Sequence, residues 1–319
     1  MRKLAYALLG AAVLAVPAMA QNITVGTTAI VEHPALDAVR DGVLAALEEE
    51  GFRNGQEIRF LYESAQGQPS IAAQIAAQFV GENVNVIVPI ATPSAQAAVA
   101  ATTTIPVVFA AVTDPLDAGL ITDVAHPGGN VTGVSDLTPV ADQFALAMEI
   151  VPDMDAIGVI YNPAEANAVV LVNLLKAAAS EAGVTVVEAT AANSGAVQAA
   201  AASLVGRVDA IYVPTDNTVV SALDAVIGVA EEAKIPLFSG DNDSVRVGTV
   251  ASIGFDYYEH GKQAGRIVAR ILRGENPGDI AVEYATGGVI AVNPAAAERM
   301  GVTIPQAVLD RAGEVVPAA

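Results

Sequence analysis

The 319-residue chain contains no cysteine and no tryptophan, and aromatic residues make up only 4% of it. Without cysteine the chain can form no disulfide bond, no thiolate metal site and no lipid anchor on a thiol. Positive charge is also scarce, with 15 Lys and Arg against 35 Asp and Glu. The net charge of -20 repels phosphate backbones and anionic lipids, which argues against nucleic-acid binding and charge-driven membrane attachment.

Catalytic and metal-binding patterns are missing as well. The sequence has no GxSxG elbow, no Walker loop, no GxGxxG after a strand and no HExxH pair, and its histidines 33, 126 and 260 do not have metal-ligand spacing. The segment Asp241-Asn242-Asp243 starts like a calcium loop, but Val245 and Arg246 stand where a ligand and a glycine are needed. We therefore expect a protein without a cofactor or metal, and not an enzyme.

Residues 1–20 have the pattern of a cleaved secretory signal peptide. Arg2 and Lys3 give a basic start, residues 4–16 are apolar, and Ala18-Met19-Ala20 fits the small-x-small cleavage rule. The apolar run is shorter than the roughly 20 residues that span a bilayer, so an uncleaved anchor is the weaker interpretation. The sequence predicts a mature chain beginning at Gln21, free in the periplasm and carrying a formal charge of −22, because cleavage removes two basic residues and no acidic ones.

Apolar strands alternate with amphipathic helices along the rest of the chain. Short Val-, Ile- and Ala-rich runs are typical of parallel strands covered on both faces, and strand–helix alternation favours right-handed βαβ units. The predicted strands are 23–29, 57–63, 86–90, 106–112, 157–161, 184–189, 209–213, 235–239 and 249–253. The predicted helices are 35–50, 70–81, 93–101, 140–150, 167–182, 196–205, 219–233 and 257–272. The pattern breaks between residues 136 and 153, which indicates an α/β fold of two doubly wound parallel-sheet lobes.

Polar residues follow the predicted strands in both halves of the chain. Proline often stands at the first helical turn after them, as in His33-Pro34 and Thr92-Pro93, where free N–H groups and the helix dipole can bind a carboxylate. Such sequences are also ordinary helix starts, so one loop alone is weak evidence. Ligands of parallel sheets bind at the carboxyl ends of the strands. The candidate ligand-binding residues are Glu32, His33, Thr92, Ser94, Thr113, Asp114, Tyr161, Asn162, Asp216, Asn217 and Asp241.

Several ordered motifs carry a family resemblance. They are Ile30-Val-Glu-His-Pro-Ala-Leu-Asp37, Ala91-Thr-Pro-Ser-Ala-Gln96, Ala111-Val-Thr-Asp-Pro115, Pro127-Gly-Gly-Asn-Val-Thr-Gly-Val-Ser-Asp136, Tyr161-Asn162, Asp216-Asn-Thr-Val219, Gly254-Phe-Asp-Tyr-Tyr258 and Asn293 with Gly301-Val-Thr-Ile-Pro305. Together they resemble the solute-binding proteins of ABC transporters of the tryptophan/tyrosine type, over essentially the whole mature chain.

This resemblance implies a type I periplasmic binding protein, in which two lobes close over a small ligand about a three-segment hinge. The crossings are expected near 133–136, 251–254 and 285–288. Lobe 1 is then 21–135 plus 254–286, and lobe 2 is 136–253 plus 287–319. The expected partner is an ABC permease in the inner membrane, and a monomer is the family's usual state.

The expected ligand is a small carboxylated molecule, in the first instance an aromatic or hydrophobic amino acid. Thr92 and Ser94 are predicted to bind its carboxylate, with Thr113 as a further donor. Asp216, helped by Asn217, is predicted to bind the ammonium, with Glu32 and Asp241 as rivals. Tyr161, Phe109 and Phe238 are candidates for an apolar wall. Two alternatives stay open: a periplasmic sensor subunit on the same fold, and a periplasmic hydrolase or epimerase.

Overall fold

The computed structural model describes residues 23–317, so the predicted signal peptide lies outside the described residues. Within them, no helix is both long enough and apolar enough to cross a membrane. The first series of elements is β1 Ile23–Ala29, α1 Pro34–Glu49, β2 Ile58–Ser64, α2 Pro69–Gly81, β3 Val86–Ile90, α3 Thr92–Ala101, β4 Val107–Val112 and β5 Val131–Ser135.

The second series begins at α4 Val140–Ile150 and continues as β6 Ala156–Tyr161, α5 Ala166–Ala182, β7 Thr185–Thr190, α6 Val197–Ala202, β8 Ala210–Val213, α7 Asn217–Val220, α8 Leu223–Ala233, β9 Leu237–Ser239, α9 Asn242–Val247 and β10 Ala251–Gly254. The chain ends with α10 Tyr257–Leu272, β11 Glu283–Tyr284, β12 Val289–Val292, α11 Pro294–Arg299, α12 Gln306–Leu309 and β13 Glu314–Val315.

Lobe 1 is built on a six-stranded parallel sheet in the order β2-β1-β3-β4-β5-β11. Strands β3, β4 and β5 are buried along their whole length, as expected for Val- and Ile-rich strands with helices on both faces. The chain leaves β1 for β2 on one side and returns to β3 on the other. The crevice between the carboxyl ends of β1 and β3 is therefore a topological switch point, where ligands of such sheets bind.

Lobe 2 has a four-stranded parallel sheet in the order β7-β6-β8-β9, with its own switch point between β6 and β8. A second, three-stranded sheet pairs β10 antiparallel with β12 and β12 parallel with β13. The Val250 N–H donates to the Leu237 carbonyl at 2.7 Å and joins the two sheets.

Two separate hydrophobic cores underlie the lobes. One contains buried residues from 25–134 and 255–282, and the other contains residues from 140–251 and 292–308. The chain thus passes three times between the cores, and the predicted fold class of two α/β lobes with a three-segment hinge is confirmed.

Local structure differs from the sequence prediction in several places, and the short helices α11 and α12 were not predicted. The helix predicted over 219–233 is two helices, α7 and α8, because the backbone leaves the helical region at Ala222 (φ −124°, ψ 28°). The calcium-like triplet at 241–243 starts helix α9, where the Asp241 carboxylate accepts the Ser244 N–H as an N-cap. Strands β11 to β13 were not predicted, since runs of two to four residues give too little periodicity.

Helix α10 packs against α1 at very short range, which fixes the base of lobe 1. A Cβ atom at Gly42 of α1 would lie 2.1 Å from the Tyr258 carbonyl oxygen, and one at Gly261 of α10 would lie 2.2 Å from the Val39 carbonyl oxygen. A Cβ at Gly265 would lie 2.6 Å from the Val43 carbonyl oxygen. Only residues without a side chain allow this approach, so α1 and α10 form one unit.

Candidate functional site

The two switch points face each other across the cleft between the lobes, and the cleft contains two adjoining cavities. The inner cavity is small, about 20 Å³, and the outer cavity is about 240 Å³. Both are lined by residues of lobe 1 and lobe 2, and they share His33, Ala35, Val220 and Asp241.

The linings differ in character. The inner cavity is mostly polar and is lined by His33, Ala35, Leu36, Ala111, Thr113, Asp136, Asn167, Thr215, Asn217, Val220, Asp241 and Tyr257. The outer cavity has an aliphatic wall that includes Val220, Leu223 and Val247, and a rim of carboxylates at Glu32, Asp224 and Asp243. Neither lining contains a lysine or an arginine, so the cleft favours a positively charged group on a ligand.

Asp136 is the acidic group that the first crossing segment presents to the inner cavity. Its carboxylate accepts the Tyr257 hydroxyl at 2.9 Å and the Thr113 hydroxyl at 3.3 Å, and the side chains of all three residues are buried. Burial raises the pKa of Asp136 to about 6, although both hydrogen bonds act in the opposite direction. A buried carboxylate held by two neutral donors keeps capacity for a cation.

Asp241 presents a second carboxylate to the same cavity from lobe 2. Its two oxygens accept the Ser244 N–H and the Ser244 hydroxyl, each at 2.7 Å, and the residue is 2% exposed. Burial raises the pKa of Asp241 to about 6, against the hydrogen bonds from Ser244. Asp136 and Asp241 thus both line one cavity, Asp136 from the first crossing segment and Asp241 from lobe 2.

His33 lies where the two cavities meet, directly before α1. Burial lowers its pKa to about 4, with the Asn217 side chain of lobe 2 acting in the opposite direction, so the imidazole is neutral at pH 7. Its Nδ1 atom is buried and has no hydrogen-bond partner. A neutral imidazole can either donate to or accept from a ligand.

Lobe 2 holds its polar cleft residues in a network centred on Glu165, which is 6% exposed. The Glu165 carboxylate accepts the Asn217 N–H at 3.0 Å and the Asn217 Nδ2 at 2.6 Å. It also accepts the Thr218 N–H at 3.0 Å and the Thr218 hydroxyl at 2.7 Å. These bonds satisfy the start of α7 and fix the side chain of Asn217 at the edge of the inner cavity.

Lobe 1 presents polar groups that lack partners. The hydroxyls of Thr28, Thr92 and Ser94 are buried without a hydrogen bond. Thr92 and Ser94 lie in the first turn of α3, beyond β3, and strand order places this loop between His33 after β1 and Ala111 at the end of β4. Unpartnered buried hydroxyls beside free helix N–H groups suit a ligand carboxylate.

Backbone strain marks the same edge of lobe 1. Ala91, before α3, has φ 74°, and Ala111 has φ 52°, a region that residues with a side chain rarely adopt. Such conformations cluster at ligand sites, where the surrounding structure enforces them. Ala111 itself lines the inner cavity.

The structure brings together five of the sequence-predicted residues as cavity lining: Glu32, His33, Thr113, Asn217 and Asp241. Thr92 and Ser94 lie at the start of α3 and line neither cavity. The other four candidates, Asp114, Tyr161, Asn162 and Asp216, line neither cavity.

Local hydrogen bonds account for Asp114, Asn162 and Asp216. The Asn162 Nδ2 donates to the Thr218 hydroxyl at 2.9 Å. Asp114 accepts the N–H groups of Leu116 and Asp117 in a turn. Asp216 caps α7 by accepting the Val219 N–H, and it also accepts the Asn162 N–H at 2.6 Å. Burial and the nearby Glu165 charge raise the pKa of Asp216 well above its usual value.

The aromatic residues named as a possible wall lie elsewhere. Phe109 and Phe238 are buried in the cores of lobe 1 and lobe 2. The Tyr161 hydroxyl donates to Glu188 at 2.6 Å, at the β6–β7 edge of the lobe 2 sheet. The cavity wall is therefore aliphatic, with Tyr257 as the aromatic residue in the lining.

Sequence reasoning missed Asp136, Tyr257, Asn167 and Thr215 as cleft residues. Asp136 and Tyr257 stood in recognised motifs, but Asp136 was interpreted as hinge and Tyr257 as helix. Asn167 and Thr215 follow strands β6 and β8, so the rule that selected Asn162 and Asp216 extends to them. Residues 23–317 contain no group of three or more metal-ligating side chains.

Comparison with known proteins bears on both the family and the ligand. A sequence profile described as that of ABC transporter substrate binding proteins matches residues 24–316. A tyrosine-binding protein of Clostridioides difficile (strain R20291) is 39% identical over 269 residues, which cover 84% of this chain and 78% of that protein.

Two solved structures are similar over most of the chain. One, from Streptococcus pneumoniae and in complex with L-Trp, is 34% identical with a TM-score of 0.89 and covers 92% of this chain and 100% of that chain. The other is the ligand-free, open structure of a substrate-binding protein with adhesive properties from Clostridium difficile. It is 38% identical with a TM-score of 0.69 and covers 93% of this chain and 100% of that chain. The lobes described above thus superpose better on the ligand-bound structure than on the open one, despite the lower identity.

Proposed function

This chain belongs to the family of ABC transporter substrate-binding proteins, and from that premise we propose that it captures an aromatic amino acid outside the inner membrane and presents it to an ABC permease. The main support is the interlobe cleft, in which buried polar atoms of both lobes lack partners: His33 Nδ1 on one side, Asn167 Oδ1 and the Thr215 hydroxyl on the other. Unsatisfied buried groups on facing surfaces suit a polar ligand enclosed between them.

The charge distribution supports an amino acid as the ligand class. We assign the ammonium to Asp136 and Asp241, which both line the inner cavity. The sequence-based assignment to Asp216 is less favourable, because that carboxylate lines neither cavity. The carboxylate would lie at the start of α3, against Thr92 and Ser94.

The ligand side chain would extend into the outer cavity. Its aliphatic wall of Val220, Leu223 and Val247 offers apolar contact, and its volume is larger than that of the inner cavity. The tyrosine-binding relative and the L-Trp complex favour an aromatic side chain for this position. The exposed carboxylates of Glu32 and Asp224 on the rim would disfavour an acidic side chain.

Ligand binding can be tested by calorimetry with L-tyrosine, L-tryptophan and L-phenylalanine. Tyramine lacks the carboxylate and 3-(4-hydroxyphenyl)propionate lacks the ammonium, so both should bind at least tenfold more weakly than L-tyrosine. A ligand at about 100 times its Kd should add roughly 2.7 kcal/mol of stability in a thermal-shift screen. Equal binding of tyramine and L-tyrosine would contradict the assigned carboxylate site, and failure of all three amino acids would contradict the ligand class.

Three roles, in transport, in sensing and in catalysis, can be distinguished by experiment. A transport component is required for uptake of labelled ligand by cells that carry the permease, whereas a sensor subunit changes gene expression and leaves uptake unaffected. Ligand recovered unchanged after long incubation is expected for a binding protein. A converted product would support a hydrolase or epimerase instead.

Export and assembly are also part of this proposal. Cell fractionation should place the protein in the periplasm, and its N-terminal sequence should begin at Gln21. Light scattering should give the mass of a monomer. The lobe boundaries 21–135 plus 254–286 and 136–253 plus 287–319 remain predictions that proteolysis at the crossing segments can test.

A further inference from the structure

We propose that His260 is a positioning residue of the ligand site, which holds the backbone bulge at Ala111 in the shape that lines the inner cavity. His260 lies on α10 and does not line either interlobe cavity. The expected effect of His260 on ligand binding rests on the proposed function. Its role in holding the Ala111 backbone does not depend on that function.

The bulge is visible in the register of β4 against β5. Phe109 pairs with Gly133 and Val112 pairs with Ser135, so β4 advances three residues where β5 advances two. The extra residue leaves one part of the ladder unpaired, and Ala111 takes a φ of 52° within it. Bulges of this kind change the direction of the side chains that follow.

His260 supplies the hydrogen-bond acceptor that the bulge lacks. The Ala111 N–H donates to His260 Nε2 at 2.9 Å, and both residues are buried. A buried backbone N–H without a partner is unfavourable, so this bond stabilises the bulged form over a regular strand. The two residues are 149 positions apart, and the contact thus joins α10 to the cleft edge of the sheet.

The imidazole is held in one orientation. Its ring lies 5.7 Å from the Phe255 ring and 5.9 Å from the Tyr257 ring, measured between centroids. Because Nε2 accepts a hydrogen bond, the neutral ring carries its proton on Nδ1. Burial lowers the pKa of His260 to about 3, which keeps the ring neutral and Nε2 an acceptor at physiological pH.

The bulge in turn shapes the ligand site. Ala111 lines the inner cavity, and Thr113, two residues later, donates its hydroxyl to Asp136. Tyr257, one turn before His260 on α10, donates to the same carboxylate. Helix α10 therefore holds two neighbouring parts of the cavity lining. Tyr257 holds Asp136 through its side chain, and His260 holds the backbone of β4 at Ala111.

The test compares two substitutions of similar size. His260→Gln keeps a side-chain acceptor, and His260→Met removes it. We expect His260→Met to weaken L-tyrosine binding at least tenfold and His260→Gln to remain within threefold of the wild type. Hydrogen exchange of the peptide containing residues 107–113 should become faster in His260→Met and stay slow in His260→Gln.

Val268→Ala is the matched control, because Val268 is buried on the same helix and its side chain can form no hydrogen bond. It should lower the Tm and leave L-tyrosine affinity unchanged. Equal affinity and equal exchange in the Gln and Met variants would overturn the inference. If wild-type protein fails to bind L-tyrosine, the proposed ligand class fails, and the exchange of residues 107–113 alone decides the role of His260.

Discussion

The polar groups of the two lobes differ in how far they are already hydrogen-bonded within the protein. In lobe 2 the carboxylates of Glu165, Asp216 and Asp241 are already bonded to nearby N–H and hydroxyl groups. In lobe 1 the hydroxyls of Thr92 and Ser94 are buried without partners. The contrast is one of degree, since Asn167 Oδ1 and the Thr215 hydroxyl of lobe 2 also lack partners.

This difference indicates where stability and where affinity reside. Groups that are bonded within the protein contribute to the folded state whether or not ligand is present. Groups without partners cost free energy until a ligand satisfies them, so they contribute to affinity. Lobe 2 is therefore expected to be the preorganised half, and lobe 1 the half that a ligand completes.

The largest expected effect is the loss of the lobe 2 network. Glu165→Ala removes the acceptor for two backbone N–H groups, the Asn217 amide and the Thr218 hydroxyl. We expect the free energy of unfolding of the ligand-free protein to fall by about 3 kcal/mol, because buried donors are left unpaired. Urea denaturation measures this, and an unchanged midpoint would show that the network adds nothing to stability.

Removal of a cleft carboxylate should act on affinity instead. Asp136→Asn keeps the shape of the side chain but removes the negative charge, and its NH2 group replaces one of the two oxygens that accept from Tyr257 and Thr113. We expect L-tyrosine to bind about 100-fold more weakly, roughly 2.7 kcal/mol, since an ammonium loses a buried ionic partner. Calorimetry measures the effect, and Asp114→Asn, which lies outside both cavities, is the matched control.

Acidification should weaken ligand binding for the same reason. Burial raises the pKa values of Asp136 and Asp241 to about 6, and a bound ammonium favours their ionised forms. As the pH falls from 7 to 5, protonation competes with the ligand, and affinity should fall about tenfold for each carboxylate that contacts it. A Kd independent of pH across this range would mean that neither carboxylate contacts the ammonium.

The unpartnered hydroxyls of lobe 1 should have a smaller effect. Ser94→Ala is expected to weaken L-tyrosine binding about fivefold through the loss of one hydrogen bond to the ligand carboxylate. The ligand-free protein should keep its Tm or gain slightly, because a buried hydroxyl without a partner is removed. A lower Tm with unchanged affinity would show that the Ser94 hydroxyl contributes to stability and not to ligand binding.

Substitution of a carboxylate on the rim of the outer cavity should have the smallest effect on ligand affinity. Asp224 is exposed and lines the outer cavity without a salt bridge among the described residues. Asp224→Asn should change the L-tyrosine Kd by less than about twofold, since water and salt screen exposed charges. Stopped-flow measurements at low and high salt can show whether the rim contributes to the association rate.

The sequence predicted the fold well because its signals are local and repeated. Continuous Val and Ile runs such as Val86–Ile90 and Val107–Val112 marked the parallel strands, and most helix bounds agree within a few residues. Short elements were not predicted. Strand β12 at Val289–Val292, for example, depends on pairing with the distant strand β10 rather than on periodicity. Helix α9 was missed since its start at Asp241 resembled a loop.

The site was predicted less completely for a physical reason. A residue that follows a strand can face the cleft or cap its own helix, and sequence does not separate the two. Thr113 faces the cleft, whereas Asp216 caps α7. Asp136 enters the cavity through the path of the crossing segment, and the acceptor role of His260 arises from a contact over 149 positions. Long-range geometry of this kind lies beyond pattern reasoning.

The close packing of α1 and α10 through Gly42, Gly261 and Gly265 has a practical consequence. Because these helices cannot shift past one another, a probe anywhere on α1 reports the orientation of the whole of lobe 1. Since the chain contains no native thiol, cysteines introduced at exposed Glu48 of α1 and Gln198 of α6 would be the sole labelling points. Paired spin labels or fluorophores at these positions would give a single distance between the lobes, which would show whether a ligand changes their relative orientation.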